Sequence, residues 1–376
     1  MIKLFLATVA FCRLSAQAEE AKVYSSESQN FKYELLNKQT DVVWGFDFLT
    51  EDKIIFTTRN GLIKIFDLKT KEIAEVSGAP AVHTGGQSGL WDIRVYPKQK
   101  SRIYLTYSEP IGKNSAAAMG YGTLENNKLI DFKKIISALP LDDGHINFGS
   151  RIEFDNRGSV FVTVGDRDQR KPPQDLKNHL GKVLRFAADG GIPADNPFYN
   201  KKNALPEIWS YGHRDPQGIV MNPETGDLWL SEMGPKGGDE LNHMKPGNNY
   251  GWPVISYGVE YSGAKVGQGN KTKAGMQQPV TYWVPSISPS GTTIYNGDQF
   301  AKWKGNIFMG TLSGMHLRRL VLDGHKVIKQ EELLKDLELR FRNVRTGPDG
   351  FLYFSTDDGQ IARLVPVTVS HLPEKK

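Results

Sequence analysis

Past residue 40 the chain repeats one arrangement of apolar and polar positions. An apolar strand leads into a turn of Asp, Pro, Gly or Asn, and a second strand rich in aromatic and β-branched residues follows. The arrangement spans 42–68, 89–108, 150–166, 216–234, 291–312 and 342–365, with SRIEFDNRGSVFVTVGD at 150–166 a compact example. Turn-bounded strand pairs of this kind, followed by a third strand such as GKVLRF (181–186) or MHLRRLVL (315–322), are what a propeller blade requires. Six phrases predict six blades. The uneven spacing, roughly 45 to 80 residues, fits blades separated by insertions rather than a regular solenoid. The expectation is therefore an all-β fold, a six-bladed β-propeller over 40–366, preceded by an N-terminal segment (19–39) and followed by a tail (367–376). Closing sheets into a ring hides strand edges, which suits a chain without disulfides.

Composition narrows this picture. With 39% hydrophobic residues the 376-residue chain has too much apolar material to be disordered. Its 38 Gly and 20 Pro favour a turn-rich β fold over a helical bundle. The formal charge of +5 is spread among alternating acids and bases, so no nucleic-acid groove is implied. Met1 to Ala18 read as an export signal: Lys3 supplies the charge, Leu4 to Cys12 the short apolar run, and Ala16-Gln17-Ala18 the cleavage site. That run is too short to span a bilayer. Cys12, the only cysteine, leaves with the signal, and the product is expected to be periplasmic or secreted, without membrane insertion. The oligomeric state is not legible.

In a propeller, ligands sit at one mouth of the channel, so functional residues should be scattered in sequence. The signatures of zinc peptidases, serine hydrolases, P-loop and dinucleotide folds and EF-hands are all missing. The chain carries instead a series of polar, Gly-rich segments: GGQSGLWD (85–92), GHINFGSR (144–151), SYGHRDPQG (210–218), SEMGPKGGDELN (231–242), GNNYGWP (247–253) and LRFRNVRTGPDG (339–350). On these residues the chain resembles the soluble pyrroloquinoline quinone (PQQ) aldose dehydrogenases, the glucose/sorbosone dehydrogenase family of six-bladed propellers. The resemblance covers about residues 40 to 365.

The resemblance implies PQQ and Ca²⁺ as cofactors, an aldose as substrate, and a cytochrome or small quinone as electron acceptor. PQQ is a tricarboxylated ortho-quinone, so its pocket needs cations, a polariser for the quinone oxygen and a base for the sugar hydroxyl. Arg214 matches the arginine at the reactive carbonyl, where a permanent charge would stabilise a developing oxyanion. Gln87 and Gln217 match pocket positions, and Arg340 and Arg342 match an R-x-R pair suited to carboxylates. Backbone carbonyls at Gly234 and Pro235 match the calcium ligands, a choice that suits a hard cation. Asp239 and Glu240 either add charge nearby or pin the loop by hydrogen bonds. Trp209, Trp252 and Trp283 either stack on a flat ligand or fill the wedge between blades.

Three positions depart from the family. Its base is a histidine four residues before the arginine of the H-x-G-[GS]-R segment, and counting back from Arg151 gives Asn147, an amide that accepts no proton at neutral pH. His145 lies two residues earlier, about 6–7 Å along an extended strand, and reaches the site only if the loop bulges. Asp215 replaces an asparagine, repelling an acidic cofactor or serving as base with a pKa raised by burial. Ser313 replaces a lysine that contacts the cofactor. Three readings stay open from sequence: an aldose dehydrogenase forming lactones, a catalytically weakened propeller that binds a sugar or partner at the same mouth, and a calcium-dependent lactone hydrolase built on Asp215, Asp239 and Asn242.

Overall fold

The computed structural model describes residues 22–367. The expected export signal with Cys12 and residues 368–376 of the tail lie outside them. Six antiparallel sheets form the blades of a β-propeller, and each sequence phrase supplies the first strands of one blade. The first strands are Val43–Thr50, Leu90–Val95, Gly149–Phe154, Asp215–Met221, Pro289–Ile294 and Phe341–Thr346. These strands neighbour one another round the ring and so line its axis.

The same local device recurs at each inner strand. Register slips between Val43 and Phe46, Leu90 and Ile93, Gly149 and Ile152, Pro216 and Gly218, Pro289 and Thr292, and Phe341 and Asn343. Such a bulge frees a carbonyl from the ladder, and a hydroxyl on the second strand of the preceding blade takes it. Thr57 donates to Trp91, Thr106 to Ser150 at 2.7 Å, Thr163 to Pro216 at 2.9 Å, Ser231 to Ser290 at 3.3 Å and Ser355 to Val43 at 2.8 Å. At the remaining joint Gly310 stands in the hydroxyl's place, because a Cβ there would meet the Phe341 carbonyl at 2.5 Å. The Arg342 carbonyl is taken by Ser290 Oγ of the neighbouring inner strand at 2.7 Å and, from across the axis, by Arg151 Nη2 at 2.6 Å. Arg151 also donates to the Gln217 carbonyl at 2.8 Å and lies 3.9 Å above the Trp44 ring, so one buried guanidinium ties four blades together at the axis.

Residues 23–38, set apart from the propeller in the sequence, belong to it. Asn30–Lys38 pairs with Gln360–Pro366, and Val23–Ser25 adds a fifth strand to the sixth blade. Both ends of the described chain thus close the ring. Phe31, fully buried, anchors the closing strand with its ring 5.5 Å from Trp303 of the fifth blade. The boundary escaped sequence reading because this strand completes a blade whose own phrase lies more than 300 residues later.

Candidate active site

A cavity of about 300 Å³ opens at the mouth of the channel, and all six blades contribute to its wall. Gln87, Asn147, Arg214, Asp215, Gln217, Gly234, Pro235, Arg340 and Arg342 all line it, together with Trp44 and Trp91. Four arginines (59, 214, 340 and 342) face two aspartates (215 and 357), giving a cationic basin when both carboxyls are ionised.

Arg214 emerges from the GHRDPQG turn just before the inner strand of blade 4 and is 5% exposed. Its backbone N–H donates to Glu232 Oε2 at 2.8 Å and its carbonyl accepts from Asp166 N at 2.7 Å, which fixes the root of the side chain. Nη1 donates to the Gly234 carbonyl at 2.7 Å, while Nε is buried with no acceptor. Gln217 Nε2 donates to Asp215 Oδ1 at 3.0 Å and leaves its own Oε1 buried and unpartnered. Orphaned polar atoms in a buried wall cost free energy. Both belong to residues that line the cavity.

The arginine pair meets on Asp357. Arg340 Nε donates to Oδ2 at 2.8 Å, and Arg342 donates from Nε to Oδ1 at 2.7 Å and from Nη2 to Oδ2 at 3.0 Å. Burial alone would raise the Asp357 carboxyl, but Arg342 and Arg340 outweigh it and hold it below the usual range. One anion thus orients two cations and leaves one net positive charge. Asp357, in the turn after the second strand of blade 6, was missed in the sequence, where STDDGQ reads as an ordinary hairpin.

Asn147 is held in the left-handed region at φ 53°, where asparagine is better tolerated than most residues. Its N–H donates to Gln87 Oε1 at 2.7 Å and its Nδ2 to Asp166 Oδ1 at 2.9 Å, so its Oδ1 is turned to the cavity. Asp166, fully buried, also accepts from Trp252 Nε1 at 2.7 Å and Asp168 N at 2.7 Å. Burial pushes its carboxyl up to about 6 against the pull of Arg214 and these donors. No sequence signal marked it. Asp215 is 1% exposed, and its Oδ1 accepts from Gly149 N and from Gln217, each at 3.0 Å, leaving Oδ2 to the cavity. Burial raises its pKa, Arg214 opposing.

Other expected residues lie outside the cavity wall. His145 is exposed, its ring stacked 4.8 Å from His83, and only its carbonyl serves the site by accepting from Gln87 N at 2.8 Å. Ser313 sits one layer behind, its Oγ 2.8 Å from that of Ser288, which with Ser286 forms the wall there. Trp209 and Trp283 fill the wedges between blades 3 and 4 and between blades 4 and 5, and Trp252 backs Arg214 at 5.5 Å. Trp44 and Trp91 are the indoles at the cavity. Asp239 pins its loop, accepting from Gly234 N at 2.9 Å, Ile287 N at 2.7 Å and Ser288 N at 2.8 Å.

The profile of the family described as Glucose / Sorbosone dehydrogenase matches residues 40–363. The chain belongs to this family. It is 39% identical over 343 residues to the aldose sugar dehydrogenase YliI of Escherichia coli K12, covering 89% of this chain and 92% of that protein. The apo-form structure of the soluble aldose sugar dehydrogenase of Escherichia coli superposes with a TM-score of 0.86 at 38% identity, over 90% of this chain and 100% of that one. A PQQ-bound aldose sugar dehydrogenase from Streptomyces coelicolor superposes with a TM-score of 0.74 at 25% identity, over 89% of this chain and 97% of that one. Within the family fold, the cavity gathers the residues that its sequence segments single out.

Proposed function

We propose that the protein oxidises aldose sugars at the anomeric carbon to lactones with PQQ as the hydride acceptor. The observation that carries this is the convergence of Arg214, Arg340, Arg342, Gln87 and Gln217 from three blades on one cavity with unpartnered polar atoms in its wall. Those donors fit a flat tricarboxylate: Arg340 and Arg342 would hold carboxylates, and Arg214 would direct its free N–H toward the quinone oxygen. When bound, PQQ supplies an ortho-quinone that takes the hydride from C1.

The chain's own residues supply binding and proton handling. Asn147 Oδ1 accepts a hydrogen bond from the sugar hydroxyl and orients it but cannot take its proton. Asp215 Oδ2 takes that proton as the C1–H bond breaks and the C1 carbonyl forms. A carboxylate whose pKa is raised by burial is a stronger base than a surface one. Asp357 is the less suitable acceptor, because two arginines hold it ionised and engaged.

Calcium enters this reading through the family resemblance. Backbone carbonyl oxygen is the right donor type, and the Pro235 carbonyl has no donor among the described residues. The Gly234 carbonyl, however, is already taken by the Arg214 guanidinium at 2.7 Å. An ion on that oxygen would sit against the fixed charge of Arg214, so the residues as they stand do not present a ready calcium site, and no step above runs through the ion. Export to the periplasm or medium and reoxidation by a cytochrome or small quinone complete the proposal.

A second reading rests on Asn147: with an amide where the family has a base, the mouth binds a sugar or partner without turning it over. The hydrolase reading loses its ligand set, because Asp239 is spent on its loop and neither Asp239 nor Asn242 lines the cavity with Asp215. The test is an absorbance titration of the full chain with PQQ, with and without Ca²⁺, followed by dye reduction across a panel of aldoses. Saturable PQQ binding with dye reduction supports the enzyme. PQQ or sugar binding without reduction supports the second reading, and failure to bind PQQ ends the first.

A further inference from the structure

On the face opposite the cavity, three metal-ligating side chains meet that the chemistry above leaves unused. Asp227 lies in the blade 4 turn between Asp215–Met221 and Leu228–Met233, strands whose other ends, Asp215 and Met233, line the cavity. His243 lies on Asp239–Met244 of the same blade, and His325 in the blade 5 turn between Leu317–Asp323 and Lys326–Leu333. Each imidazole aims Nε2 at its own oxygen of one carboxylate: His243 lies 3.0 Å from Oδ1 and His325 3.1 Å from Oδ2. Thr225 Oγ1 donates to Oδ2 at 2.7 Å and orients the carboxylate from behind. The three ligand atoms lie within 4.8 Å of one another.

We infer that Asp227, His243 and His325 form a binding site for a divalent transition-metal ion of the zinc class, joining the outer turns of blades 4 and 5. Two imidazole nitrogens and one carboxylate oxygen are zinc-class chemistry, whereas Ca²⁺ and Mg²⁺ take oxygen donors. With both imidazoles neutral the trio carries one negative charge, which favours a cation. The imidazoles are stacked at 3.9 Å with 18° between their planes, and because a carboxylate only accepts, each Nε2 carries the ring hydrogen, which moves to Nδ1 when Nε2 binds a metal. Ligands about 2.1 Å from a tetrahedral ion stand about 3.4 Å apart. Uptake therefore requires one ring to turn its Nε2 inward, and His325, with its side chain 55% exposed, is free to do so. Its exposed flank also lets water complete the shell.

The test is calorimetric titration of ZnCl₂ into the untagged full chain, with Co²⁺ absorption in the visible as a second readout of nitrogen–oxygen coordination. The expected result is one equivalent bound by the native protein, a loss of that equivalent in His325→Ala, and at least about tenfold weaker binding in Asp227→Asn. PQQ-dependent dye reduction is unchanged in His325→Ala, and excess Ca²⁺ does not displace the zinc. His83→Ala, which breaks the other stacked imidazole pair, leaves uptake intact. The inference is overturned if the native protein takes up no zinc, if His325→Ala retains the same equivalent at the same affinity, or if uptake follows His83 instead. None of these outcomes depends on the proposed oxidation.

Discussion

The amide of Asn147 donates its Nδ2 to Oδ1 of Asp166 at 2.9 Å, and this bond sets what the site presents to a sugar. A carboxylate accepts and does not donate, so it selects the amide orientation that leaves Oδ1 on the cavity. The site therefore offers a fixed acceptor where the family resemblance implies a base.

Replacing Asn147 by histidine places an imidazole next to the Asp166 carboxylate, an arrangement that orients the ring and raises its basicity. Asn147→His is expected to raise dye-reduction turnover by about tenfold or more, with the acid limb of the pH–rate profile moving toward the histidine range. Unchanged turnover with PQQ demonstrably bound would sink the idea that this position faces the reacting hydroxyl.

If Asp215 takes the proton, Asp215→Asn keeps the hydrogen bond from Gly149 but removes the base. Turnover should fall by roughly 10²–10⁴, with PQQ binding unweakened because a negative charge has left a cationic basin. In the native protein kcat should rise with pH through an apparent pKa above that of an ordinary aspartate. A proportionate loss of PQQ affinity would mean that Asp215 shapes the pocket and takes no proton.

Asp166 makes stability depend on pH in a particular direction. Its carboxyl is raised to about 6 in the fold, so between about pH 4 and 6 the folded protein holds a proton that the unfolded chain has released. This contribution is complete below that window and is lost as the pH rises through it, by up to about 3 kcal/mol. Urea unfolding of the native protein and Asp166→Asn across pH 4–7 reads it as the difference between the two curves. Parallel curves would refute the assignment.

The hydroxyl clamps predict a cost at the blade joints. Thr163→Val keeps the shape of the side chain but strands the Pro216 carbonyl, which Thr163 Oγ1 reaches at 2.9 Å. The expected loss is about 1–3 kcal/mol in denaturant unfolding. A loss as large in Thr225→Val, whose hydroxyl lies on an exposed turn, would show that the joints are not special.

The order of the strands, the number of blades and most of the cavity residues are legible in the sequence, because period-two apolar runs and turn residues act locally. Gln87, Arg214, Gln217, Arg340 and Arg342 could be named there because each sits in a Gly-rich or R-x-R segment with its own signature. Asp166, Asp357 and Trp44 could not. Their roles depend on partners 19, 15 and 107 residues away, reached across one hairpin for each aspartate and across the ring for Trp44. His145 and Ser313 stand close to the site in sequence yet outside its wall, since a left-handed turn at Asn147 and one layer of serines decide what the cavity meets. Likewise Asp227, His243 and His325 share no spacing that marks a metal site, and only the packing of two neighbouring blades brings them together. Local chemistry determined the elements by itself. The pairing of charges across the axis and the orientation of each amide belong to the tertiary structure, because electrostatic and hydrogen-bond energies depend on distances through space and not along the chain.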